Sequence, residues 1–426
     1  MQNSLAFDNG VYANIKGMRK PLTRASIQIA ILVLSLLFRA DEILAGAASR
    51  ETTTVAKAGL SQTELVALDE VMGQALLERK LPGAVVLIGH DGQIVFKKAY
   101  GRRALLPRPV RMTTDTVFDL ASLTKVVATA PAVLWLAERG LLALDDPVAK
   151  YIPEFSARGK ARVTLRHLLT HYSGLMADDS LRDYRKGYAE AIRNISDLSL
   201  EAEPEKKFIY SDVNYILLAE IVRRVAGQPF DAFVRRTIFQ PLKMTSTFFN
   251  PPPSLRTRCA PTTRRNGRWQ KGQVQDERAY RLRGVAGHAG LFSTAGDLSR
   301  FAQMILNRGS LDGQTILRSE TVDLMTTAYA PAGMSIQRGL GWDFNSPFAV
   351  ARGRGFSPES FGHTGYTGTS IWLDPTKKTF LIILSNCVHP RGKSRIKQLR
   401  GEIADVVAAA IPDAREVHVG ESKHGR

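Results

Sequence analysis

The chain has 426 residues, 44% of them hydrophobic and 23% charged, an ordinary globular balance at a length that holds one large domain or two lobes around a cleft. Lysine and arginine number 58 against 40 acidic residues, a net charge of +18. That excess fits an anionic cell-wall or membrane-surface setting, and equally a basic charge spread over the whole surface; no basic stripe with interleaved aromatics accompanies it, so nucleic acid is not an expected partner. Cys259 and Cys387 are the only cysteines, too few for a disulfide framework or a four-ligand metal site. They could form one bridge or remain two thiols.

In chain order, Lys16, Arg19, Lys20 and Arg24 precede an apolar run at 27–38, followed by Arg39, a polar patch and Ala45-Gly46-Ala47. A basic region, a short apolar core and a small-residue site describe a secretory signal, and the run is short of the ~20 residues that span a bilayer. Residues 1–47 are therefore expected to be a signal peptide or an uncleaved anchor, with Met18 as an alternative start. The protein is expected to be exported, periplasmic or extracellular. Residues 48–61 read as a linker, 62–411 as the main domain and 412–426 as a tail.

Ser61 and Glu64 form a capping box ahead of a helical repeat through Leu65, Leu68 and Met72. Strand-like runs at 84–88 and 94–99 flank Asp91-Gly92, a strong hairpin signal. Ser122-Leu123-Thr124-Lys125 reads S-x-x-K at the start of an apolar helix over 125–138, with a kink expected at Pro131. One helical turn puts the lysine on the serine's face, where it can handle the hydroxyl proton of an otherwise weak nucleophile. The stretch 122–325 is mostly helical by pattern. Within it, Tyr210-Ser211-Asp212 precedes a helix, as a reactive phenol on a loop or as a packed tyrosine with Asp212 as N-cap.

Gly362-His363-Thr364-Gly365-Tyr366-Thr367-Gly368-Thr369 then leads into an apolar strand. Its glycines permit close approach by a ligand, and its edge could pair with a peptide. Runs at 370–373 and 380–384 make a second hairpin, and an amphipathic helix through Ile396, Leu399, Ile403 and Val407 closes the pattern. Strands at both ends with helices between predict an α+β fold: one antiparallel sheet built from both chain ends with flanking helices, and an inserted, mostly helical lobe over about 122–325.

These motifs, in this order, resemble the serine β-lactamase and penicillin-binding protein superfamily, in particular its class C-like branch of D,D-peptidases, D-aminopeptidases and esterases. The likeness covers roughly 62–411 and extends to Leu144-Asp145-Asp146-Pro147, to 164–175 and to Gly287-His288-Ala289-Gly290. It implies a β-lactamase/transpeptidase-like fold and a serine hydrolase with an acyl-enzyme on Ser122. Lys125 and Tyr210 would manage the proton, and the Ser122 and Tyr366 N–H groups would hold the oxyanion. His363, Gly365 and Asp212 would line the substrate. The substrate would be a small peptide, an ester or a β-lactam, with D-Ala-D-Ala-type cleavage foremost and β-lactam turnover weak. The alternative is a non-catalytic cell-wall peptide-binding protein that retains the cleft.

Two departures bear on substrate. The second motif ends in Asp212 where asparagine is usual, an acceptor in place of a donor. The third begins with His363 where a lysine often stands, a group able to titrate in place of a fixed charge. No cofactor is expected. His167 and His171 have a spacing that can bind zinc, but with no adjacent glutamate and no third ligand they read as structural, and no metal is expected. The sequence assigns no oligomeric state.

Overall fold

The computed structural model describes residues 61–393 and 396–411. The readings made for residues 1–60 and 412–426 lie outside the described residues. Among the described residues, no helix is long and apolar enough to cross a membrane.

The Ser61 hydroxyl accepts the Glu64 N–H at 3.3 Å and starts α1 (Gln62–Leu77). Strands β1 (Gly83–His90) and β2 (Gln93–Ala104) follow. They are joined by Asp91 and Gly92, both at positive φ (44° and 78°), as a two-residue type I′ turn demands. Short β3 (Val110–Arg111) and β4 (Phe118–Asp119) come next. The helix expected over 125–138 is instead a π-helical turn, Lys125–Thr129, that runs into α2 (Ala130–Ala137). The Ala130 N–H reaches back to the Lys125 carbonyl. Pro131, which has no N–H to give, then falls in the first turn of the regular helix, where none is required.

The middle of the chain contributes α3 (Leu165–Thr170), α4 (Tyr188–Ser196), α5 (Asp212–Ala226), β5 (Phe248–Phe249), β6 (Leu291–Ser293) and α6 (Ala295–Leu306). It is less helical than its apolar periodicity predicts. Strands β4, β6 and β5 form a small sheet, and the segments Val148–Lys150, which follows Pro147, and Pro153–Ser156 are 3₁₀ turns. The chain closes with β7 (Phe361–Thr364), β8 (Ser370–Asp374), β9 (Thr379–Ser385) and α7 (Lys397–Ala410).

The main sheet has the order β7-β8-β9-β1-β2-β3, antiparallel throughout, so the two chain ends meet at β9 and β1 as expected. All eight residues of β1 are buried because both faces are covered. Alternation then sorts the side chains into two cores. Val85, Leu87, Ile382 and Leu384 join the large core of the inserted lobe. Val86, Ile88, Leu381 and Ile383 join a smaller core shared with Leu68, Leu399 and Ile403 of α1 and α7. Cys259 and Cys387 are both buried and form no disulfide.

The large core is tight enough to read a single methyl group. A Cβ at Gly89 would stand 2.1 Å from the Phe380 ring. Gly89→Ala should lower the urea midpoint by an amount equivalent to about 1–3 kcal/mol with an unchanged slope; an unchanged midpoint would mean that the ring swings aside at no cost.

Candidate active site

Asp119 at the end of β4 builds the turn that presents the serine. Its Oδ1 accepts the Ala121 N–H at 3.0 Å and its Oδ2 the Gln275 N–H at 2.6 Å. Burial pushes the Asp119 carboxyl up to about 6, against the opposing effect of these two donors. Ala121 is held at φ 46°, a left-handed conformation unusual for alanine. The chain then enters the helix, and Lys125 lies fully buried one turn beyond Ser122.

The Lys125 ammonium donates three hydrogen bonds. They go to Ser122 Oγ at 3.0 Å, Asp212 Oδ1 at 2.6 Å and the His288 carbonyl at 3.3 Å. Burial works to lower the lysine pKa, but the Asp212 carboxylate and then Tyr210 outweigh it and hold the value above the ordinary one. The lysine is therefore a fixed cation. Its Nζ also lies 4.8 Å from the centre of the Tyr210 ring.

Asp212 departs from its expected role as an N-cap. The N-cap of α5 is Ser211, whose hydroxyl accepts the Asn214 N–H at 3.4 Å, and Asp212 is the first helical residue. The Asp212 carboxylate lines the cavity over Ser122, as expected, and pairs there with Lys125. Tyr210 precedes it, with its ring 4.5 Å from His171, 5.1 Å from Phe348 and 6.0 Å from His363 between centroids. His171 Nδ1 accepts the Ser211 N–H at 3.0 Å. His171 ends α3 at φ 62°, and His167 Nδ1 accepts the Thr164 N–H at 3.2 Å at the start of the same helix. Each ring thus has a local structural partner.

The third segment turns back on the nucleophile. Thr367 Oγ1 donates to the Asp119 carbonyl at 2.7 Å and Thr369 Oγ1 to the Leu120 carbonyl at 2.9 Å. A Cβ at Gly365 would lie 2.5 Å from the Leu120 carbonyl, so only glycine permits the approach. The Ser122 and Tyr366 N–H groups, brought to one cavity by these ties, donate to no protein group among the described residues. The Tyr366 side chain points elsewhere: it is exposed, and its hydroxyl donates to the Gly392 carbonyl at 3.3 Å.

His363 is not the titratable group the sequence suggested. Burial, then the charges of Arg338 and Lys125, hold its pKa well below the ordinary value, against the bond between Nδ1 and the Thr364 carbonyl. It stays neutral at physiological pH.

The cavity over Ser122 has a volume of about 630 Å³. Its lining includes the acidic residues Asp178, Asp276 and Glu277 and the cations Arg278, Arg338, Lys397 and Arg400. Arg400 was not singled out from the sequence, because an arginine on the polar side of an amphipathic helix looks like any solvated one. It is buried, its Nη2 donates to the carbonyls of Gly365 and Thr369 at 2.8 Å each, and its Nε has no partner. Burial lowers its pKa to about 10. His288 Nε2 meets Asp276 Oδ1 at 2.9 Å. Asp276, His288 and Asp212 offer atoms within 4.8 Å of one another, a spacing a metal could use, but the Lys125 ammonium already occupies Asp212.

Asp212→Asn should leave burial as the main influence on Lys125 and lower its pKa. The group's folded value is raised, so its contribution to stability is complete below the unfolded value near 10.5 and is lost as pH rises through the folded one. In a lysine-labelled NMR titration, the Lys125 signal should therefore move at lower pH in Asp212→Asn than in wild type; the same midpoint in both proteins would refute the pairing.

Comparisons with known proteins give the chain a family. A family model described as Beta-lactamase matches residues 65–405. A protein of Escherichia coli O157:H7 named "Putative D-alanyl-D-alanine carboxypeptidase" is 36% identical over 372 residues, covering 78% of this chain and 84% of its own. A protein of the same name from Salmonella enteritidis PT4 (strain P125109) is 34% identical over 355 residues, covering 74% and 81%. Among solved structures, the octameric penicillin-binding protein homologue from Pyrococcus abyssi is 25% identical with a TM-score of 0.64, covering 83% of this chain and 81% of that one. A class C beta-lactamase shares the fold at 20% identity and a TM-score of 0.67, covering 82% and 97%. The chain belongs to the beta-lactamase family and is a serine hydrolase of the beta-lactamase and penicillin-binding protein type.

Proposed function

We propose that the protein is an exported D-alanyl-D-alanine-type carboxypeptidase that works through an acyl-enzyme on Ser122. Ser122 Oγ accepts a hydrogen bond from Lys125 at 3.0 Å, so its own hydrogen points away from the lysine. The Tyr210 oxygen is the group that takes this proton as Oγ attacks the substrate carbonyl. The Lys125 cation steadies the developing charge on Oγ, and the Ser122 and Tyr366 N–H groups receive the oxyanion. The carbon–nitrogen bond then breaks and the proton passes from Tyr210 to the departing amine. Water enters along the same path, loses a proton to Tyr210 and releases the acyl group.

The observation that carries the choice of substrate is the buried Arg400 beside Tyr366. A guanidinium with an unpartnered Nε and no carboxylate at hand is suited to the terminal carboxylate of a D-Ala-D-Ala peptide. It supplies the charge that neutral His363 does not. The names carried by the Escherichia and Salmonella relatives support the same reading.

A short peptide ending in D-Ala-D-Ala, its C-terminal amide and a short-chain ester test the proposal together. Wild type should release D-Ala from the acid far faster than it cleaves the amide. Ser122→Ala should keep its circular dichroism and lose all turnover. Arg400→Gln should raise KM for the acid about tenfold or more beyond any change it makes on the amide, since charge-assisted hydrogen bonds contribute about 1.5–3 kcal/mol. Equal rates on acid and amide would overturn the carboxypeptidase reading. Export is checked by N-terminal sequencing of protein recovered from the periplasm, with cleavage expected after Ala47; recovery from the cytoplasm alone would refute it.

A further inference from the structure

A second cavity, of about 420 Å³, is lined in part by the loop that follows β9. Five cations from three separate parts of the chain converge on it: Arg79 and Lys80 from just beyond α1, Arg102 from β2, and Arg391 and Lys393 from the loop. No acidic residue lines it. Lys80 pairs with Glu78 at 2.8 Å. Arg79, Arg102, Arg391 and Lys393 have no ion pair or side-chain hydrogen bond among the described residues, although elsewhere on this surface arginines are commonly paired, as Arg158 is with Asp197 and Arg308 with Asp323.

Like charges drawn into a concavity repel one another, and low-dielectric walls strengthen the potential between them. An anion in the cavity would relieve that repulsion. Three of the five groups are guanidinium forks, whose planar paired donors match the oxygens of a phosphate better than they match a single point charge. Apolar Leu76 and Leu81 share the lining, so the cavity could also enclose an organic portion attached to the phosphate. The loop is fixed as well as charged. Gly392, between Arg391 and Lys393, accepts the Tyr366 hydroxyl, and Cys387 at the cavity's edge lies behind Gly368. The cations are therefore presented on backbone anchored to the same turn that lines the catalytic cavity.

We propose that this cavity is a binding site for a phosphate-bearing anion, separate from the catalytic cavity. Inorganic pyrophosphate is the soluble probe and phosphatidylglycerol vesicles are the lipid probe. The full chain is used, with Ser122 first blocked by a fluorophosphonate so that the catalytic cavity cannot account for the signal. Pyrophosphate should raise the melting temperature in a saturable way, as any ligand that binds only the folded state must. The apparent Kd should weaken at least tenfold in Arg102→Gln/Arg391→Gln. It should hold in Arg236→Gln, which alters an exposed arginine outside the cavity. Vesicle retention that the double variant abolishes would assign the phosphate to a lipid headgroup; pyrophosphate binding without retention would assign it to a soluble compound. No saturable pyrophosphate binding, equal binding by the double variant, or an equal response to sodium chloride at matched ionic strength would each overturn the proposal.

Discussion

The buried pair of Lys125 and Asp212 is the interaction on which the catalytic cavity is built. Removing two charges from water is expensive, and it is tolerable here because every ammonium hydrogen finds an acceptor: Ser122, Asp212 and the His288 carbonyl. Those acceptors come from the turn after β4, from the first residue of α5 and from the segment before β6. One cation thus draws three distant stretches of chain to one point. An asparagine at position 212 would supply a dipole where the structure has a full negative charge. The aspartate ties the lysine's protonation state to the architecture.

A second constraint fixes the opposite side of the cavity. The Thr367 and Thr369 hydroxyls bond to the carbonyls of Asp119 and Leu120, and Gly365 packs on the same backbone. The spacing between the Ser122 and Tyr366 N–H groups is set by these contacts and by Arg400 behind them. The sheet makes this possible. With β1 and β9 paired at its centre and a core on each face, the edge strand β7 is held rigidly enough to carry a turn with two buried hydroxyl ties.

Much of this was legible in the sequence, and the reasons differ by element. The first hairpin could be read because Asp91-Gly92 satisfies a turn that few other pairs can. That one antiparallel sheet is built from both chain ends followed from the placement of the apolar runs. Ser122, Lys125, Tyr210 and Tyr366 could be singled out because their motifs occur in order. The π-turn at Lys125–Thr129 left no trace, since its residues have the same apolar pattern as an α-helix. The Asp212–Lys125 pair, the neutrality of His363 and the burial of Arg400 depend on which segments come together in three dimensions. Periodicity is silent on such contacts, so a histidine that reads as titratable proved to be shielded, and an arginine that reads as solvated proved to line the cavity.

Ser122 and Tyr366 lie on opposite sides of the inserted lobe in the chain, and the threonines that bring their N–H groups to one cavity belong to the later segment. A ribosome must therefore complete nearly the whole domain before the serine can acquire its partner. Until then the emerging polypeptide carries Ser122 without the segment that faces it, and a product truncated before β7 would lack that side of the cavity.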